Sequence, residues 1–142
     1  MTLSRVTVNR DVDVRLRNLR GRTGLTPNLL CRLGFCLSLE EPGIPDLELY
    51  AGDAEREFNR YTLTGQWDQL FFAMLRERLS DDGLDPEEYI EPQFKAHLSR
   101  GVFLLNQRVR SLNDIENLFG PPASRSGDEV DEIEPEYGEL DA

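Results

Sequence analysis

Apolar residues along this chain fall into helical stripes after one short alternating stretch. Leu3, Val6 and Val8 open the chain, with Val6 and Val8 on one face of a predicted strand and Arg5, Thr7 and Asn9 on the other. Val12, Leu16 and Leu19 then recur at the spacing of one helix face. Asp11 and Asp13 in the first turn of that helix, and Arg20 and Arg22 at its far end, suit the helix dipole. Gly21 and Gly24 break it. Thr26 caps a second helix with Pro27 at its first position, and Leu25 and Leu30 can staple across the cap. Leu29, Leu30, Leu33, Cys36 and Leu37 give this helix a broad apolar face. Gly34 within it costs about 1 kcal/mol relative to alanine, a cost that close helix or subunit packing would explain. Glu40, Glu41, Pro42, Gly43 and Pro45 end it.

The middle of the chain has a weaker period. Leu47, Leu49, Phe58, Tyr61 and Leu63 are anchors without a common spacing, and they suggest an extended piece near 47–50 and a helical turn near 55–60. Residues 66–79 read as a helix with Trp67, Leu70, Phe71, Met74, Leu75 and Leu79 on one face, widened by Phe72 and Ala73. Asp85 caps the next helix, with Pro86 at its first position and Glu88 completing a capping box, and Pro92 interrupts or bends it. Phe94, Leu98, Val102, Leu105 and Val109 carry a helical stripe through 93–110, in which Gly101 permits close packing or marks a break. A short closing helix over 112–119 turns Ile115 and Leu118 inward.

The pattern predicts a mainly α, small helical domain over residues 1–120. Its N-terminal strand, helix and helix stand in ribbon-helix-helix order, an arrangement in which two chains pair their strands. Several helical segments are apolar all round, which leaves more hydrophobic surface than a small monomer hides and points to an oligomer. Residues 121–142 change character: eight acids accompany Arg125, with Val130, Ile133, Tyr137 and Leu140 as the few apolar anchors. That composition predicts a disordered acidic tail, able to solubilise, to meet a basic partner or to lie over the protein's own basic face.

Charge sharpens this picture. The 142 residues carry a net charge of −11, yet residues 1–35 hold seven Arg and only two Asp. Fifteen of the sixteen basic residues are Arg, Lys95 being the exception, and an acidic, lysine-poor surface is common in salt-adapted organisms. No apolar run reaches membrane-spanning length and no signal-peptide pattern is present, so a cytoplasmic, non-membrane location is expected. Cys31 and Cys36 sit in an apolar helical pattern and read as core groups rather than a disulfide.

No constellation carries catalytic or metal chemistry. The single histidine, His97, lies in a helical stripe and reads as structural or surface rather than as a base. Cys31 and Cys36 fall ~140° apart on a helix, a poor disposition for one metal. Asp81, Asp82 and Asp85 lack the partners of a cation loop and fit a capped turn better. Neither a P-loop nor a dinucleotide glycine pattern occurs, so the reading is a non-enzyme without a cofactor. Two binding classes compete. In one, Arg5, Thr7 and Asn9 face a DNA groove, while Arg15, Arg17, Arg20, Arg22, Thr23, Thr26 and the free amides opening the second helix hold phosphates. In the other, the chain is a helical scaffold whose surfaces recruit enzymes without touching DNA.

A family resemblance favours the first. Arg20-Gly21-Arg22-Thr23-Gly24-Leu25-Thr26-Pro27-Asn28 continues into Leu30-Cys31-Arg32 and Gly34-Phe35-Cys36-Leu37-Ser38-Leu39, then Glu41-Pro42-Gly43 and Glu57-Phe58-Asn59-Arg60-Tyr61-Thr62-Leu63. Over roughly residues 1–120 this resembles the DndE family of DNA sulfur modification proteins. The resemblance implies a non-enzymatic component of DNA phosphorothioation, in which sulfur replaces a non-bridging phosphate oxygen. It implies a homo-oligomer, a tetramer, that prefers nicked double-stranded DNA. It also implies partners that supply the chemistry: a cysteine desulfurase, a sulfurtransferase-like protein with an iron–sulfur cluster and an ATPase-like protein. Bacterial relatives are expected to present lysines to DNA; here Arg17, Arg20, Arg22 and Arg32 stand in that role, through bidentate phosphate contacts.

Overall fold

The computed structural model describes residues 3–119, and the acidic segment beyond lies outside the described residues. Strand β1 (Arg5–Val8) leads into helices α1 (Arg10–Thr23) and α2 (Pro27–Glu40), then a 3₁₀ turn (Leu47–Tyr50) and strand β2 (Arg56–Asn59). Three helices follow, α3 (Arg60–Thr64), α4 (Asp68–Asp81) and α5 (Pro86–Arg108), with 3₁₀ turns at Gly65–Trp67 and Leu112–Asn117. The domain is mainly helical, as the periodicity predicts, with one small antiparallel ribbon.

That ribbon corrects the ribbon-helix-helix expectation. The partner of β1 is β2 of the same chain, with Val6 opposite Phe58 and Thr7 opposite Glu57. Val6, Val8 and Phe58 turn inward and are buried, so the core obtains within one chain the pairing expected from two. It also corrects the middle of the sequence: residues 47–50 form a 3₁₀ turn rather than an extended piece, and 56–59 form a strand rather than a helical turn. Pairing across 50 residues of sequence overrides local preference there.

Local signals explain the helix ends. The Asn9 side chain caps α1 by accepting the Val12 N–H at 3.0 Å, and Gly24, in the left-handed conformation at φ 77°, closes it by donating to the Arg20 carbonyl at 2.8 Å. Thr26 Oγ caps α2 by accepting the Leu29 N–H at 3.3 Å. Asp85 caps α5, which runs unbroken through Pro92. The carbonyl that loses its donor there is on Glu88, an exposed residue that water can reach.

The core is organised on α2 against α5. Their backbones touch at Gly34 and Gly101: a Cβ on Gly34 would stand 2.8 Å from the Gly101 carbonyl carbon, and one on Gly101 would fall inside the Gly34 backbone. Both glycines therefore serve close packing within the chain, and α5 does not break. Phe94 joins this seam to α4, stacking on Phe72 at 4.7 Å between ring centres and meeting Phe35 at 5.1 Å. Ile115 and Leu118 pack on the core as expected. Trp67 and Leu70, expected on the inner face of α4, are instead half exposed, at 49% and 51%. The inner face is narrower: Phe71, Phe72, Leu75 and Leu79 fill it.

Candidate nucleic-acid interface

The arginines of α1 separate into two rows. Val12, Leu16, Leu19 and Thr23 face the core. At ~100° per residue, Arg10, Arg17 and Arg20 then lie on one flank and Arg15 and Arg22 on the other, with Val14 on the crest between. Contacts agree with this geometry. Arg15 lies over the Phe103 ring of α5 at 4.0 Å, and its guanidinium donates to the Asp11 carbonyl at 3.0 Å. Arg22 donates to the carbonyls of Asn106 and Val109 at 3.3 and 3.2 Å, satisfying the end of α5. This row is tied to the fold.

The other row is tied only at Arg17. Arg17 is 66% exposed and pairs with Asp13 at 2.7 Å, a carboxylate that is almost wholly buried and also held by Arg56 of β2. Arg10 and Arg20 are exposed, and among the described residues neither guanidinium has a hydrogen-bond or ion-pair partner. Arg10 was not legible as a site residue; its spacing of seven and ten residues from Arg17 and Arg20 was the signal, since those steps return to one helix flank.

Other expected site residues have structural employment. Asn9 is buried, and besides capping α1 its amide donates to the Ala51 carbonyl at 3.2 Å. Thr23 is buried, donating to the Leu19 carbonyl at 2.8 Å and accepting the Leu25 N–H at 3.1 Å. Arg32 is half buried and donates to the carbonyls of Leu63 and Thr62 at 2.6 and 3.3 Å. Thr26 is exposed with its oxygen engaged in the α2 cap. Arg5 and Thr7 do point outward on the ribbon, but Glu57 stands beside them and pairs with Arg5 at 3.3 Å. The structure thus brings Arg10, Arg17 and Arg20 together and disperses the rest.

A second arginine cluster sits at the opposite end of α2. Arg100 donates to Ser38 Oγ at 2.9 Å and to the carbonyls of Ser38 and Gly43 at 2.8 and 2.9 Å. Arg78 donates to the Leu39 carbonyl at 2.7 Å and pairs with Asp82 at 2.9 Å. Ser38 Oγ, which accepts from Arg100, also lies within hydrogen-bond distance of His97 Nδ1, at 2.9 Å. Burial, with Arg100 and Arg78 nearby, lowers the His97 pKa to about 3, so this imidazole is neutral. Burial likewise pushes the Cys31 and Cys36 thiols up, and both cysteines are free. Among the described residues no group of three potential metal ligands occurs, and no helix is long and apolar enough to cross a membrane.

These features define a class: a small helical domain that ties many of its arginines to its own carbonyls and carboxylates and leaves Arg10 and Arg20 of an outer helix without partners among the described residues, a pattern suited to binding. The particular assignment comes from comparison. The family model described as DNA sulphur modification protein DndE matches residues 5–113, and the chain belongs to the DndE family. No curated protein sequence matches it. Among solved structures, DndE from Escherichia coli B7A, involved in DNA phosphorothioation modification, aligns with a TM-score of 0.60 at 25% identity, over 74% of this chain and 98% of that one. A glycine-to-lysine double mutant of DndE, involved in DNA phosphorothioation, shares the fold with a TM-score of 0.54 at 21% identity, over 72% of this chain and 99% of that one.

Proposed function

We propose that this chain is the non-catalytic, DNA-contacting component of a phosphorothioation assembly, and that it grips the sugar–phosphate backbone through α1. The observation that carries this is the exposed row of Arg10, Arg17 and Arg20, in which Arg10 and Arg20 have no partner among the described residues and Arg17 pairs with Asp13, on a member of the DndE family. Guanidiniums that satisfy no internal carbonyl are free to meet phosphates, and phosphate contact requires no base readout. Arg15 and Arg22 add positive potential from the second row. The duplex engaged is nicked DNA, whose exposed terminus offers a phosphate that backbone contacts alone can find. The protein works in the cytoplasm as a homo-oligomer, a tetramer, beside sulfurtransferase-like and ATPase-like partners. Because its net charge is −11, tight binding needs those partners.

The test is a titration of nicked and intact duplex against the full chain and a triple variant, Arg10→Gln, Arg17→Gln and Arg20→Gln, over a range of salt. The slope of log affinity on log salt should fall by about 2–3, and binding should weaken at every salt concentration. An unchanged slope would sink the reading. A scaffold role is the second reading, favoured by Tyr61, Trp67 and Leu70, which are about half exposed on consecutive elements. It requires that Trp67→Ser or Leu70→Ser disrupt assembly with the partner enzymes while the arginine variant does not.

A further inference from the structure

We infer that the acidic C-terminal segment, residues 120–142, covers the arginine face of α1 and competes there with nucleic acid; the competition, though not the contact, rests on the reading of that face given above. Three observations carry it. The first is charge. The segment holds eight carboxylates and one guanidinium, whereas α1 holds five arginines and two aspartates, and Arg10 and Arg20 have no acidic partner among the described residues. The second is pattern. The crest of α1 between its two arginine rows exposes Val14, and the segment interleaves acids with Val130 and Ile133, so one strand of chain can offer carboxylates to the arginines and an apolar side chain to the crest. The third is reach. The chain leaves the side of α1 at Val109, whose carbonyl is bound by Arg22, and the described part ends at Phe119, after Asp114 and Leu118 have lined a cavity with Glu40 and Glu41 of the α2 end. The 23 residues beyond span up to about 75 Å when extended, several times the ~13 Å radius of gyration of a domain this size. Tethering holds the segment's local concentration near the millimolar range, so weak contacts suffice.

The segment also stands outside the family's domain. The family match ends at residue 113, and 74% of this chain accounts for 98% of the Escherichia coli protein. It is therefore an addition to the shared fold, and its chemistry is that of a polyanion, as is the ligand proposed for α1. A tethered polyanion on a phosphate-binding face raises the threshold for binding: only a ligand of higher charge density, or one presented by partners, displaces it. High salt weakens both contacts and so narrows the difference between them.

Two measurements on the full chain test this separately. A nitroxide on Gly138→Cys, in a Cys36→Ala background, should broaden the amide signals of residues 10–22 more than those of α4 in the absence of DNA. Replacing the eight carboxylates of residues 128–141 by their amides should abolish that broadening. Selective broadening that the amides remove supports the contact; equal broadening of α1 and α4 overturns it. In parallel, the amide variant should bind nicked duplex about tenfold more tightly than the native chain at low salt, the gap closing as salt rises. Equal affinities overturn the competition. If neither form binds any duplex while α1 is selectively broadened, the contact stands and the nucleic-acid reading of the face falls.

Discussion

Arginine does opposite work at the two ends of the first helical pair. On α1, Arg10 and Arg20 stand in solvent without partners among the described residues, while at the end of α2, Arg78 and Arg100 are committed to backbone carbonyls. The difference lies in what reaches the end of each helix. Helix α1 closes on Gly24, whose left-handed backbone returns its own N–H to the Arg20 carbonyl, and Thr23 takes the Leu19 carbonyl. No guanidinium from another element reaches the carbonyls that remain open there, among the described residues. Helix α2 closes on Glu41 in an extended conformation and enters Pro42, which has no N–H to give. Its last carbonyls are left over, and Arg78 and Arg100 reach in from α4 and α5 to satisfy them. Each end returns one cap N–H and leaves carbonyls open; which arginines are committed follows from which helix brings a guanidinium within reach of that end.

This comparison breaks most severely at the seam under the clamp. Gly101→Ala should destabilise the domain by about 3 kcal/mol or more, because the new methyl meets backbone rather than a side chain that can swing away. A shift in the denaturation midpoint reads this directly. Next comes the clamp. Arg100→Ala leaves the Glu41 carbonyl without a donor, while Ser38 keeps the Glu41 N–H and Gly43 keeps Arg78, so it should cost about 1–2 kcal/mol. Arg100→Lys should recover only part of that, since one ammonium cannot span the same set. Neither change should alter the salt slope of DNA binding by the folded protein.

The clamp also sets a pH dependence. The ordinary pKa of histidine is 6.5 and that of folded His97 is about 3. Between these values the unfolded chain takes up a proton that the native state refuses, so His97 stabilises the fold above pH 6.5 and that contribution drains away as pH falls. The slope is about 1.4 kcal/mol per pH unit well inside the window. His97→Gln should flatten the stability profile between pH 6 and 5 relative to the native chain. A native profile no steeper than that of the variant would show that the imidazole is not held neutral.

What the sequence disclosed follows the range of the interactions involved. Caps at Thr26 and Asp85 and the stripes of α2 and α5 depend on residues within a few positions, and these were legible. Gly34 and Gly101 could be marked as contact points, but that they contact each other is a fact of tertiary packing. The β1–β2 pairing was not legible, because Phe58 looks like a helical anchor until Val6 lies opposite it. The site was read too broadly for the same reason. Arg22 and Arg32 are indistinguishable from Arg20 in the sequence; what separates them is which distant carbonyl comes within reach.

The smallest expected effect gives the sharpest comparison. Asp13 is buried between two arginines, with Arg56 about one-third exposed and Arg17 two-thirds exposed. Arg17→Gln leaves the carboxylate still paired with Arg56, so stability should change by no more than about 0.5 kcal/mol. Arg56→Gln removes the better-buried partner from the strand side and should cost measurably more, since Arg17 is solvated and holds Asp13 only from the outer edge. On DNA the order should reverse: Arg17→Gln should lower the salt slope by about 1, and Arg56→Gln should leave it unchanged. If the two substitutions proved equally destabilising, Arg17 would join Arg22 and Arg32 as part of the frame. The row of α1 open to a ligand would then shrink to Arg10 and Arg20, too few to hold a duplex backbone against a net charge of −11.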